Sequence, residues 1–276
     1  MGSRRILTGL GLYVVAIAVL AMVLIPLSFS ILGGFRTNMQ LIESPVGLPN
    51  PWVFEHYKDI ATDARFWRQV RNSVVIALLT TAVVLPAASL AAYVIARYRF
   101  RGREAVYGLF TVGLLFPVAV AIVPLYITLR QVGLLNNPLG VALPQAAFGL
   151  PVAIIVMRPF FRAIPKEMQD AASIDGAGPF RLYWSVMLPL SRPVLGTIAV
   201  ITVVMSWNAF FLPLLVLTDV DQHTLPIGVN NISAQYSTDY ARVLAYTTLA
   251  MVPALVFYAL AERQIVSGLT AGAVKD

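Results

Sequence analysis

Six stretches of this chain run for 19 residues or more without a single Asp, Glu, Lys or Arg: 6–35, 72–96, 105–129, 131–157, 193–218 and 243–261. Together they hold 152 of the 276 residues. The hydrocarbon core of a bilayer takes about 20 apolar helical residues to cross, so every one of these runs is long enough to span. The runs are continuously apolar, whereas membrane-barrel strands alternate over about ten residues; helices are therefore expected. Only 12% of the residues are charged and 58% are hydrophobic, against about 25% charged in a soluble domain. A seventh charge-free run, 222–238, is rich in Asn, Ser, Thr and Gln and is not read as a span. The first run follows Arg4 and Arg5 like a secretory signal, but it is longer than a signal h-region of about 7–15 residues and is read as a retained span. The reading is an all-α polytopic membrane protein with six transmembrane helices.

Six spans place both termini on one face. That face carries the N-terminus, the loops near 97–104 and 158–192, and the tail 262–276, with thirteen basic and six acidic residues. The other face has seven of each. The excess of Lys and Arg puts the N- and C-termini in the cytoplasm. Arg97-Tyr-Arg-Phe-Arg-Gly-Arg103 is the strongest marker and is read as a topology anchor at an anionic leaflet. The extracytoplasmic segment 36–71 carries Trp52, Phe54, Tyr57, Phe66 and Trp67, read as interfacial aromatics. Prolines inside the runs, among them Pro26, Pro86, Pro117, Pro124 and Pro213, are read mostly as helix kinks, some of which could line a pathway where irregular backbone is tolerated.

The chemistry available is narrow. There is no Cys, and the two His residues, His56 and His223, are far apart, so neither thiolate chemistry nor a His-based metal site is expected. None of the six runs read as spans contains Asp, Glu, Lys, Arg or His, which argues against an ion-coupled carrier, a voltage sensor and a membrane-embedded enzyme. The phosphate-binding loop G-x-x-x-x-G-K-[ST] is absent. The expectation is a neutral pathway, not an enzyme, driven by a partner; a stand-alone facilitator or channel is the alternative of a different class. The segment 158–193 offers a docking element. Pro165 suits a helix start, Glu167 its first turn and Gly176 the position past its end, giving a helix of about 11 residues and about 16 Å with a small-residue face at Ala171 and Ala172. A transmission element and an amphipathic interfacial helix both fit it.

Asp170-Ala-Ala-Ser-Ile-Asp-Gly176, followed nine residues later by Val186-Met-Leu-Pro189, resembles the EAA loop of ATP-binding-cassette (ABC) importer permeases, with Asp170 for the usual Glu and Val186 for the usual Ile. Trp207-Asn208-Ala-Phe-Phe-Leu-Pro213, Thr224-Leu-Pro-Ile-Gly228 and the tail Gly268-Leu-Thr-Ala-Gly-Ala-Val-Lys275 are similar to the carbohydrate permeases of the maltose type, and the chain is identified as a MalG-like member. The resemblance runs from about residue 50 to the end. It implies the type I ABC importer permease fold in a bacterial cytoplasmic membrane. It implies a second homologous permease subunit, two ATPase subunits that carry ATP and Mg, an extracytoplasmic solute-binding protein and a sugar substrate, with glycerophosphate compounds or amino sugars as alternatives. No cofactor is implied for this chain and no nucleic acid. The resemblance assigns coupling and ATPase docking to Glu167, Asp170, Ala171, Ala172, Asp175 and Gly176, and an ATPase-proximal position to Gly268, Thr270 and Lys275. The loop 219–241 before the last span would meet the binding protein through Asn230, Asn231, Gln235 and Tyr236. Ser206, Trp207 and Asn208 are read as pathway lining, since a sugar needs a few placed polar groups beside apolar surface; the competing reading is polar contact between helices.

Overall fold

A computed structural model describes residues 2–235 and 238–271, with side chains for 11–235 and 238–262. Helices follow one another in the order α1 (Gly2–Gly33), α2 (Asn38–Glu43), α3 (Glu55–Thr62), α4 (Ala64–Arg97), α5 (Arg103–Gly113), α6 (Val118–Gln131), α7 (Pro138–Ala163), α8 (Lys166–Ile174), α9 (Pro179–Leu182), a π-helical turn (Tyr183–Met187), α10 (Leu188–Leu190), α11 (Arg192–Trp207), α12 (Phe211–Val216), a 3-10 turn (Val220–Gln222), α13 (Leu225–Gln235) and α14 (Tyr240–Ala271). No strand occurs among the described residues. Stretches of α1, α4, α7 and α14 are long and apolar enough to cross a membrane. Two bent pairs raise the number to six if each counts as one span: α5 with α6 at 95°, and Pro179–Leu190 with α11 at 77°.

The departures from the charge-free runs have local causes. The run 105–129 is not one helix. A residue preceding proline avoids the α region, so the chain leaves the helix before Pro117, and α6 restarts with Pro117 as an extended cap. Gln131 ends α6, and the rest of the run 131–157 becomes helical only at Pro138. Gly133 and Asn136 take positive φ of 71° and 54°, and the side chain of Asn137 accepts the Leu139 N–H at 2.9 Å. The helix then continues to Ala163, which brings Arg158 and Arg162 into it. The run 193–218 breaks after Trp207. Pro213 has no N–H for the carbonyl of Ala209 and its ring would clash there, so α11 ends and α12 begins at Phe211. Residues 179–190, expected in a loop, are helical and lead into α11. The polar run 222–238 contains α13, whose 11 residues are too short to span.

The chain packs as two units. One comprises the residues up to Trp67 with Gly228–Pro253; the other comprises Arg68–Ile227 with the residues from Ala254 on. In the first, the end of α1 meets α14 at backbone distance. A Cβ on Gly34 would lie 2.8 Å from the Ala245 Cα and 2.6 Å from the Tyr57 hydroxyl, the small-residue contact that lets membrane helices close in. Ser30 and Thr248 share a hydrogen bond of 3.0 Å beside it. Phe35, Trp52, Phe54 and Tyr57 pack ring against ring, and the Tyr57 hydroxyl donates to the Ile31 carbonyl. These rings, read from sequence as an interfacial belt, also build the turn after α1. Side chains from Leu12 to Ile25 of α1 are exposed apart from Ala21, which is half-buried.

In the second unit, α4, α7, the π turn and α11 enclose the main core. Val84, Ala88 and Ala92 recur every four residues along α4 and meet Met157, Phe161, Tyr183 and Ile198, the spacing of one helix face. A second cluster joins Ile76, Leu129, Val141, Leu212 and Val216. The buried Ser89 and Tyr183 hydroxyls bond at 2.6 Å within the main core. Such contacts in membrane helices contribute about 0.6 kcal/mol on average.

Candidate functional site

The helix that carries the EAA-like residues is α8. Pro165 stands one residue before its first turn, as its cap, instead of inside it. The helix ends on a Schellman motif: Asp175 is the last half-turn residue, Gly176 takes φ 77°, the Gly176 N–H donates to Ser173 O at 3.1 Å, and the Ala177 N–H donates to Ala172 O at 2.9 Å. The helix has nine residues, not eleven, because the cap positions at both ends lie outside it. Glu167, Asp170, Ala171, Asp175 and Gly176 are exposed. Ala172 differs from them: it is half-buried and packs against the main core. Met168, Ile174, Phe180 and Trp184 are large, apolar and exposed on α8 and just after it. The surface thus combines three carboxylates with unsatisfied apolar area, which suits a protein partner.

A buried charge lies on α7. Arg158 is 5% exposed, pairs with Glu104 on α5, and its guanidinium sits 3.8 Å from the Tyr107 ring centre. The charge-free runs place no ion here, since the run ends at Met157, but the helix does not end there.

A cavity of about 270 Å³ lies in the same unit, among α4, α6, α7 and α11. Phe148, Ile122 and Met205 make most of it apolar; Thr80, Gln145, Thr202 and Ser206 are its polar lining. The Ser206 hydroxyl donates to Gln145 Oε1 at 2.6 Å, and Thr80 Oγ1 lies 3.1 Å from the same atom. Among the described residues Gln145 Nε2 has no partner. Of the three residues read as pathway lining, Ser206 alone is brought to this cavity. Trp207 is half-buried elsewhere, and Asn208 Nδ2 folds back on the Val204 carbonyl at 2.9 Å, closing the end of α11. Successive helical residues point about 100° apart, so the three cannot share one direction; Thr202, one turn before Ser206, shares it. The sequence reading missed Gln145, although it is a polar side chain in the middle of a charge-free run.

On α13, Asn230 and Gln235 are exposed and Asn231 is half-buried; Tyr236 lies outside the described residues. Gly268 and Thr270 fall on the last turns of α14, so the expected tail is helical as far as Ala271; Lys275 lies outside the described residues. Just before α13, the segment 219–225 is tied to the start of α4. Arg68 pairs with Asp221, Asn72 Nδ2 donates to the Asp221 and His223 carbonyls at 2.9 and 3.0 Å, and Ser73 Oγ accepts the Leu225 N–H at 2.9 Å.

Residues 63–265 match the model of a family described as binding-protein-dependent transport system inner membrane component. The chain is 35% identical over 252 residues to the diacetylchitobiose uptake system permease protein of Streptomyces coelicolor, covering 91% of this chain and 83% of that one. It is 33% identical over 230 residues to the trehalose transport system permease protein of Mycobacterium tuberculosis, covering 83% and 84%. Its fold is that of a chain in the crystal structure of a bacterial ABC transporter involved in the import of the acidic polysaccharide alginate, with TM-score 0.80, 22% identity, and coverage of 95% and 97%. The match covers most of the chain, which therefore belongs to the binding-protein-dependent transport system inner membrane components.

Proposed function

We propose that the chain is one of two permease subunits of a sugar importer in a bacterial cytoplasmic membrane. Two cytosolic ATPases, which hold ATP and Mg, dock on α8 and on the equivalent helix of the second permease. An external binding protein delivers a di- or oligosaccharide near α13. The relatives' named sugars support the substrate class. The observation that carries the coupling role is the exposed acidic and apolar face of α8, held on a rigid Schellman end. The topology has support as well. Within one unit, α8 lies by the C-terminal end of α4 and residues 221–225 by its N-terminal end, and the 25 residues between Asn72 and Arg97 rise about 37 Å. With both termini cytoplasmic, α8 faces the ATPases and 219–241 faces outward. Glu167, Asp170, Ala171 and Asp175 would contact the ATPase. Ala172 and Gly176 would shape the helix, and Gly268, Thr270 and Lys275 would lie near the same interface. The cavity at Gln145 and Ser206 would form part of the pathway.

Reconstitution of the chain with its partner permease, ATPases and binding protein in proteoliposomes tests this reading, with uptake of labelled diacetylchitobiose and trehalose as the readout. Ala171→Asp changes an exposed position at a helix-propensity cost of about 0.6 kcal/mol. It is expected to leave the chain folded and to abolish ATP-driven uptake. ATP-independent uptake by the chain alone would identify a facilitator and refute the reading.

A further inference from the structure

Arg97 is the last residue of α4 and opens the basic stretch that ends at Arg103. Arg99 and Arg101 of that stretch are exposed, as a topology anchor requires, but Arg97 is half-buried and turned inward. Its Nε donates to Gln169 Oε1 at 3.0 Å, its Nη1 to the Ile164 carbonyl at 2.8 Å and the Phe161 carbonyl at 3.4 Å, and its Nη2 to the Pro165 carbonyl at 3.3 Å. Phe161 and Ile164 close α7, Pro165 caps α8, and Gln169 lies within α8. One guanidinium therefore joins the ends of two membrane helices, α4 and α7, to the short helix α8 that follows α7. Charge-assisted bonds from a planar, rigid fork resist sliding more than any single contact does. Apart from Gln169, which meets Arg97, and Ala172, which packs against the core, the residues of α8 are exposed.

What lies along α4 gives this grip a consequence. The helix is unbroken for 34 residues. It bonds Tyr183 through Ser89, reaches the cavity through Thr80 and Gln145, and holds the 221–225 segment through Asn72 and Ser73. Thr80 lies 17 residues from Arg97, about 25 Å along the helix. We infer that Arg97 is the positioning residue through which a displacement of α8 is passed to α4 and so to the cavity. This inference rests on the reading of α8 as the ATPase-docking helix.

The chain has no cysteine, so Ala209→Cys, at the cavity wall, gives a single thiol reporter in this subunit when the partners are stripped of theirs. The assay is the rate of maleimide modification in the full importer, without nucleotide and with ATP trapped by vanadate. Allosteric couplings span about 5- to 150-fold. With Arg97 intact, the two rates should differ by about tenfold, and Arg97→Gln should bring them within about twofold while the ATPases still co-purify. Arg97→Lys, which keeps the charge without the fork, should fall between them. Gln169→Leu removes only the α8 contact from a half-buried side chain and should shrink the difference without unfolding the chain. A full response in Arg97→Gln overturns the inference. Loss of the ATPases from the Arg97→Gln complex also overturns it, because Arg97 would then serve docking instead of transmission. A complex with Arg97 intact whose thiol ignores nucleotide overturns both the inference and the coupling role of α8.

Discussion

Replacing Gly176 separates two reasons a glycine can end α8: the space around it and the backbone angle it adopts. Space is ruled out as the cause, since a Cβ placed on Gly176 meets nothing within 4 Å. The angle remains, because φ is 77°. In that region an L-residue costs about 1–2 kcal/mol, Asn costs less because it enters left-handed caps, and a β-branched residue costs more. The two bonds that close the helix, from Gly176 N–H to Ser173 O and from Ala177 N–H to Ala172 O, exist only while the angle is kept. Gly176→Ala should therefore open this turn about tenfold more often, since about 1.4 kcal/mol is a factor of ten. Gly176→Asn should open it less than Ala, and Gly176→Val more. Hydrogen exchange of the Ala177 amide, followed by mass spectrometry on the purified importer, reads the opening directly. An order set by side-chain size, with Asn worse than Ala, refutes the argument. The consequence for transport differs from that of a docking change: the carboxylates of α8 stay in place, so Gly176→Ala should weaken coupling less than Ala171→Asp.

Other consequences can be checked one at a time. Gly140→Ala would put a Cβ 2.1 Å from the Leu134 carbonyl oxygen, so the turn before α7 must shift, at a cost of about 1–3 kcal/mol; a lowered midpoint of thermal unfolding in detergent checks it. Gln145→Leu removes an amide whose Nε2 is unpaired but whose Oε1 accepts the Ser206 hydroxyl, so thermal stability should fall only slightly, by about 1 kcal/mol. Uptake at limiting sugar should nevertheless fall about tenfold, the effect of losing one hydrogen bond of about 1.4 kcal/mol. Burial lowers the pKa of His223 from its ordinary 6.5, outweighing the opposing influence of the Leu217 backbone and of Asp219. The unfolded chain then binds the proton first, so the fold keeps this contribution above pH about 6.5 and loses it as the pH falls. Unfolding midpoints measured across that range should show the loss, and His223→Gln should flatten it.

The all-helical class was legible in the charge-free runs because one apolar side chain after another leaves a membrane helix as the only way to satisfy the backbone. The end of α8 was legible too, since Gly176 is a local signal. What composition could not resolve depended on direction. Ala171 and Ala172 are equivalent as letters, yet one faces out and the other packs inward. Ser206, Trp207 and Asn208 are neighbours in sequence and diverge around the helix. Arg97 reads as one positive charge among four in its stretch, and only the fold shows that its guanidinium meets three carbonyls and an amide. Gln145 carries no charge and interrupts no run, so its contact with Thr80 and Ser206 had no signature in the sequence.

The prolines bear on the shape of the cavity. Pro26, Pro86, Pro124, Pro144, Pro151, Pro159 and Pro253 sit inside helices that continue through them. Pro117 and Pro213 instead stand next to breaks, Pro117 as the cap of α6 and Pro213 in the first turn of α12. The difference is not one of residue type, so it lies in what surrounds the freed backbone. Val118 and Ala119, directly after the first break, and Ala209 to Leu212, across the second, line the same cavity. Irregular backbone at membrane depth persists only where protein buries it or a cavity receives it. Two breaks therefore converge on one largely apolar cavity with a few polar groups, and that cavity receives their irregular backbone. A straightened chain, with Pro213→Ala extending α11 toward α12, should fill or displace the wall at Ala209. It should lower uptake more than it lowers stability, since Pro213 stands in the first turn of α12 and alanine is at least as good a helix former there. If Pro213→Ala leaves uptake intact, the second break is not part of the pathway, and the cavity owes its shape to Gln145, Thr80 and Ser206 alone.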